Sequence, residues 1–98
     1  MIDKKQAKKV IENIISGYKQ PKDDMYIVVE NETIEKEWGW VFFYTSKKWH
    51  ETNNLIHAVA GNAPFIVQRK DGKVMVTGTS GGINHYIERF EATGDPHG

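Results

Sequence analysis

Trp38-Gly39-Trp40-Val41-Phe42-Phe43-Tyr44-Thr45 is the stretch that decides the fold. In extended backbone successive side chains point to opposite sides, so Trp38, Trp40, Phe42 and Tyr44 line one face while Val41 and Phe43 line the other. Both faces are apolar, and a strand of that kind belongs at the centre of a sheet, covered on each side by helices, a loop or a partner.

Working outward, Met25-Tyr26-Ile27-Val28-Val29 is rich in β-branched and aromatic residues and predicts a preceding strand, with Asn31 to Lys36 turning the chain between the two. On the other side, Gly61-Asn62 signals a turn and Pro64 suits a strand start, where a missing amide does least damage. Phe65 to Gln68 is the third strand; Lys70-Asp71-Gly72-Lys73 makes a hairpin turn, and Val74 to Thr77 returns. The segment from Ser46 to Ala63 gives no decisive period, and Leu55, Ile56, Ala58 and Val59 fit either a short helical turn or a covering loop.

Helices flank these strands. Ala7, Val10, Ile11, Ile14 and Ile15 recur at three- and four-residue steps, with Asp3 and Gln6 placed as a capping box and Gly17 as a left-handed stop. Ile83, Tyr86, Ile87 and Phe90 repeat the pattern between Thr79-Ser80 and Gly94. The order α-β-β-β-β-α with hairpin-type links predicts an α+β fold: one antiparallel four-stranded sheet with both helices packed on one face. The whole chain, residues 1–98, is expected to be a single domain with a core spanning about residues 3–92 and a frayed tail over 93–98.

Composition narrows the function classes. Thirteen Lys plus Arg balance thirteen Asp plus Glu, which removes the whole-molecule field that would gather nucleic acid or an acidic membrane. The lysines opposite the apolar stripe of the first helix, Lys4, Lys5, Lys8 and Lys9, therefore read as a hydrated face. Cysteine is absent, so disulfides, thiolate zinc sites and cysteine nucleophiles are excluded. Neither a signal-peptide pattern behind Met1-Ile2-Asp3-Lys4-Lys5 nor a membrane-length apolar run is present, which predicts a cytoplasmic protein.

No catalytic or cofactor-binding constellation can be assembled. Thr77-Gly78-Thr79-Ser80-Gly81-Gly82 runs from strand to helix but lacks the Gly-Lys-Ser/Thr end of a phosphate loop and the spacing of a dinucleotide fingerprint, so it reads as a turn capped by Thr79 or Ser80. His50, Glu51 and His57 are the nearest approach to metal-ligand spacing, on a segment without an assigned element to present them, and no metal or other cofactor is expected. What remains is contact chemistry. Glu30, Glu32, Glu35 and Glu37 surround the first hairpin beside Trp38 and read first as an ordinary hydrated turn. In the alternative reading, an acidic rim around aromatic anchors suits a basic partner, where charge speeds encounter and buried rings slow release. Trp49 falls past the central strand, and if exposed it is the best single anchor. Glu35, Glu37, Trp38 and Trp49 are thus the candidate partner-binding residues.

With those residues laid out, the chain resembles the immunity protein 35 family of bacterial polymorphic toxin systems, also called YrhB-domain proteins. The resemblance rests on Gly39-Trp40-Val41-Phe42-Phe43-Tyr44-Thr45-Ser46, Ala60-Gly61-Asn62-Ala63-Pro64-Phe65-Ile66-Val67, Asp71-Gly72, Gly78-Thr79 and Tyr86-Ile87, and covers about Trp38 to Phe90. It implies a small cytoplasmic protein that binds and neutralises a cognate toxin, without catalysis; related domains standing apart from toxins imply a heat-stable, chaperone-like alternative. The matching residues read as architectural: Gly61, Asn62, Gly72 and Gly78 suit turns, Pro64 starts a strand, and Trp40 with Phe42 packs a core. Monomer and homodimer are left open.

Overall fold

The computed structural model describes all 98 residues. Helix α1 (Lys4–Ser16) is followed by strand β1 (Tyr26–Val28), a 3-10 turn at Glu30–Glu32, and strands β2 (Ile34–Lys36), β3 (Gly39–Phe42) and β4 (Tyr44–Ser46). Helix α2 (Lys47–Thr52), a second 3-10 turn at Leu55–His57, strands β5 (Phe65–Gln68) and β6 (Val74–Val76), and helix α3 (Ile83–Thr93) complete the chain.

The fold is α+β with an antiparallel four-stranded sheet, ordered β2-β3-β5-β6, and a separate antiparallel pair, β1-β4. The aromatic ribbon does lie inside the sheet: β3 pairs with β2 on one side and β5 on the other. It does not stay there. At Phe43 the chain leaves the four-stranded sheet, and Tyr44–Ser46 pairs instead with Tyr26–Val28. The fourth member of the sheet is therefore Ile34–Lys36, inside the stretch expected to be a turn. A 3-10 turn at Glu30–Glu32 makes the reversal early enough for those three residues to pair with Gly39–Val41.

The expectation that both helices share one face is overturned. On β3 and β5, Trp40, Phe42, Phe65 and Val67 point to one side and pack against Ala7, Ile11 and Ile15 of α1. Val41 and Ile66 point to the other side and pack against Ile87 and Phe90 of α3. The physical reason is the ribbon itself: two apolar faces each need cover, and burial of each large side chain there contributes on the order of 1.5–3 kcal/mol. One helix per face meets both demands. Trp38 accordingly joins the α3 side, opposite Trp40, because Gly39 follows it with φ 151° and breaks the simple alternation.

The helix ends also differ in detail. Asp3 and Gln6 form the expected capping box, at 2.8 and 2.9 Å. Gly17, however, ends α1 with φ −80°, not in the left-handed region. Gln20 does the capping work, donating to the carbonyls of Ile15 (2.9 Å) and Tyr18 (2.7 Å) while accepting from the Tyr26 amide (2.8 Å). α3 begins at Gly82 with no side-chain cap, so neither Thr79 nor Ser80 serves as one; Gly94 closes it with φ 83°, as expected. Beyond it, residues 94–98 fold back where fraying was anticipated: Pro96 is buried, and the His97 ring packs edge-on to Tyr86 and lies 2.9 Å from the Val76 carbonyl.

Candidate interaction surface

One end of the sheet is built around Arg69. Its backbone amide donates to the Trp38 carbonyl at 2.7 Å, which holds the guanidinium next to the β2–β3 hairpin. The guanidinium lies over the Trp40 ring at 4.5 Å, donates to the carbonyls of Lys36 (3.0 Å) and Glu37 (3.2 Å), and pairs with the Glu35 carboxylate at 3.4 Å. A planar cation suits this place, since one face can rest on an indole while its edge donates. The Trp38 ring packs against Phe90 with centroids 4.6 Å apart and a 60° tilt, and its ring N–H donates to Glu91 at 3.0 Å. Glu37, Trp38, Arg69, Phe90 and Glu91 border an open groove of about 740 Å³.

The structure thus brings Glu35, Glu37 and Trp38 together, but Glu35 and Trp38 are engaged within the molecule; only the exposed Glu37 carboxylate faces solvent unpaired. The rest of the acidic hairpin is similarly committed at Glu30, which ion-pairs with Lys8 and sits 4.0 Å from Lys4. The Lys8 hydrogen bond outweighs partial desolvation and holds the Glu30 carboxyl below its ordinary range.

Trp49 stands elsewhere, half-buried on α2. That short helix is fastened by a network running back to Asp24. The Ser46 side chain accepts from the Trp49 amide at 3.1 Å and its hydroxyl donates to the Asp24 carboxylate, which also accepts from the amides of Met25 (2.7 Å) and Lys48 (3.1 Å). Partial desolvation works against the charged carboxylate, but the Ser46 bond, then those from Met25 and Lys48, outweigh it and lower its pKa.

The segment after α2 carries the feature that sequence reasoning missed. Leu55 and Ile56 are each 80% exposed and belong to neither apolar cluster, so the segment does not roof the sheet. A bare count of apolar residues could not show this, because Leu-Ile reads as core in any short helical turn. Gly61 (φ 77°) and Asn62, whose side chain donates to the Tyr44 carbonyl at 2.7 Å, return the chain to Pro64 and β5. Gly72 turns the hairpin with φ 73°; Gly78 matters for closeness instead, since a Cβ there would lie 2.4 Å from the Tyr86 hydroxyl. His50 sits on α2 and His57 on the 3-10 turn, and no group of three or more His, Cys, Asp or Glu side chains converges anywhere in the molecule. In the Thr77–Gly82 turn, the Thr77 hydroxyl donates to the Pro64 carbonyl (2.7 Å) and Ser80 meets Tyr86 (3.0 Å). No helix is long and apolar enough to cross a membrane.

A family model for immunity protein 35 matches residues 5–91. The chain belongs to the immunity protein 35 family. This immunity protein 35 domain is also 32% identical over 53 residues to the uncharacterized protein YrhB of Escherichia coli strain K12, a match covering 54% of this chain and 56% of that protein. The chain thus spans about half the length of the curated relative it matches. No solved structure matches it. The span matched by the family model takes in α1 as well as the second half of the chain.

Proposed function

We propose that this domain is a binding-only inhibitor: it docks on a cognate bacterial toxin domain in the cytoplasm and neutralises it by contact, without catalysis. The observation that carries the reading is the immunity protein 35 match over residues 5–91. The packing supports it. The large side chains of β3 and β5 are consumed in two closed apolar layers, while the two most exposed aliphatic side chains after Met1, Leu55 and Ile56, lie together on a loop where contact is their natural use. Of the residues singled out from sequence, Glu37 and Trp49 retain groups free of internal pairing and remain candidates for that contact, whereas Glu35 and Trp38 act through the Arg69 and Phe90 contacts that shape the hairpin.

Co-expression with the toxin encoded in the adjacent gene tests the proposal. Rescue of growth together with one-to-one co-purification is the expected result. Continued killing with no co-purification overturns it. A chaperone-like protein of loose client choice would instead suppress aggregation of several unrelated proteins, and that outcome would replace the inhibitor reading.

A further inference from the structure

Leu55 and Ile56 are anomalous for so small a protein. Apart from the terminal Met1, the other exposed large apolar side chains, Val10, Tyr18, Met25 and Val76, are at most 49% exposed. Single exposed apolar residues need no explanation, but two adjacent aliphatic side chains held out of a well-packed domain do. They are also not on slack chain. Asn53 takes left-handed backbone (φ 54°), the Asn54 amide donates to Thr52 Oγ1 (3.1 Å), and the Asn54 side chain accepts from the Ile56 amide (3.2 Å). The turn is closed by Ala58 donating to the Leu55 carbonyl at 3.1 Å, and the segment is pinned at its far end by Asn62 on Tyr44. A knob fixed before binding avoids part of the ordering cost of association.

Charge says what kind of surface it fits. Ile56 and His57 share a groove of about 530 Å³ with Lys19 and Lys22. Both lysines are exposed, and neither has a carboxylate within ion-pair distance. The one carboxylate in the groove, Asp24, is spent on Ser46 and the amides of Met25 and Lys48. An aliphatic knob beside two unpaired ammonium groups complements an apolar pocket with Asp or Glu on its rim. It does not suit nucleic acid, which asks for stacking aromatics and a dense basic track.

We propose that the segment Asn53–Ala60 is the toxin-contact surface, with Leu55 and Ile56 entering an apolar pocket whose acidic rim meets Lys19 and Lys22. This rests on the inhibitor reading above, and its test separates the two. Binding to the purified, catalytically disabled toxin domain encoded beside this chain is measured for the wild type, L55D/I56D, K19E/K22E and, as a matched charge control on the outer face of α1, K5E/K9E. L55D/I56D is expected to weaken Kd by about 100-fold or more, as for paired central anchors, with a thermal midpoint close to wild type because both sites are exposed. K19E/K22E is expected to slow association about tenfold, an effect that fades with added salt, and K5E/K9E to leave both rates within about twofold. Wild-type-like binding by L55D/I56D overturns this surface alone. Failure of the wild type to bind removes the inhibitor reading and the surface with it. A wild-type dimer that L55D/I56D dissociates would make the knob a self-association site and overturn the proposal.

Discussion

Single residues carry unusual weight here because β3 and β5 touch almost backbone to backbone at one point. A Cβ at Gly39 would lie 1.9 Å from the Val67 carbonyl oxygen, and the glycine also holds φ 151°. No side chain can be relieved by rotation against a backbone atom in the middle of a sheet. Gly39→Ala is therefore expected to cost at least about 2 kcal/mol, read as a lowered urea midpoint with an unchanged slope. Gln20 is a second such position, because its one amide closes the end of α1 and opens β1. Gln20→Ala leaves those backbone groups to find water and is expected to lose about 1–2 kcal/mol, accompanied by faster hydrogen exchange at the Tyr26 amide. Trp40 is buried with its ring N–H unpartnered, and the Arg69 guanidinium lies over the ring face.

Among elements, α2 shows how a six-residue helix persists where isolated helices of that length do not. It hangs on Ser46 at its start and on Asp24 reaching in from the preceding connector. Because Asp24 is depressed in the folded state, its contribution is complete above the ordinary carboxylate range near pH 4 and is lost as pH falls through the lower folded value. Asp24→Asn is expected to lower the thermal midpoint at pH 7, and the gap between variant and wild type to narrow toward pH 3; a gap constant with pH would contradict this account of the cap. Alternation along 40–44 was legible from sequence, as was the helical stripe of α1. The departure of β4 to a second sheet was not, since side-chain alternation continues through Phe43 and Tyr44 while hydrogen-bond partners change. β2 was hidden for a related reason: Ile34-Glu35-Lys36 is a three-residue edge strand whose stability comes from β3 and not from its own pattern.

At the scale of the molecule, the two apolar layers share the backbone of β3 and β5, so they should fail together. Ile11→Ala on the α1 side and Ile87→Ala on the α3 side are each expected to cost about 2–5 kcal/mol and to leave a single unfolding transition, with coincident near- and far-ultraviolet signals. Two separated transitions would show the layers to be independent. The candidate surface was only half legible. Glutamates beside Trp38 looked like a free acidic rim because sequence does not reveal that Arg69 comes to meet Glu35, Lys8 to meet Glu30 and Phe90 to meet Trp38. By itself the sequence determined the α+β class, the interior place of Gly39–Phe42 and the periods of α1 and α3, because alternation and helical spacing are local properties of the chain. Only the tertiary structure decided which face each helix covers, that the tail buries Pro96, and that Leu55 and Ile56 stand outside. An amphipathic stripe states that a side must be buried but not against what, and that choice is made by elements distant in the chain.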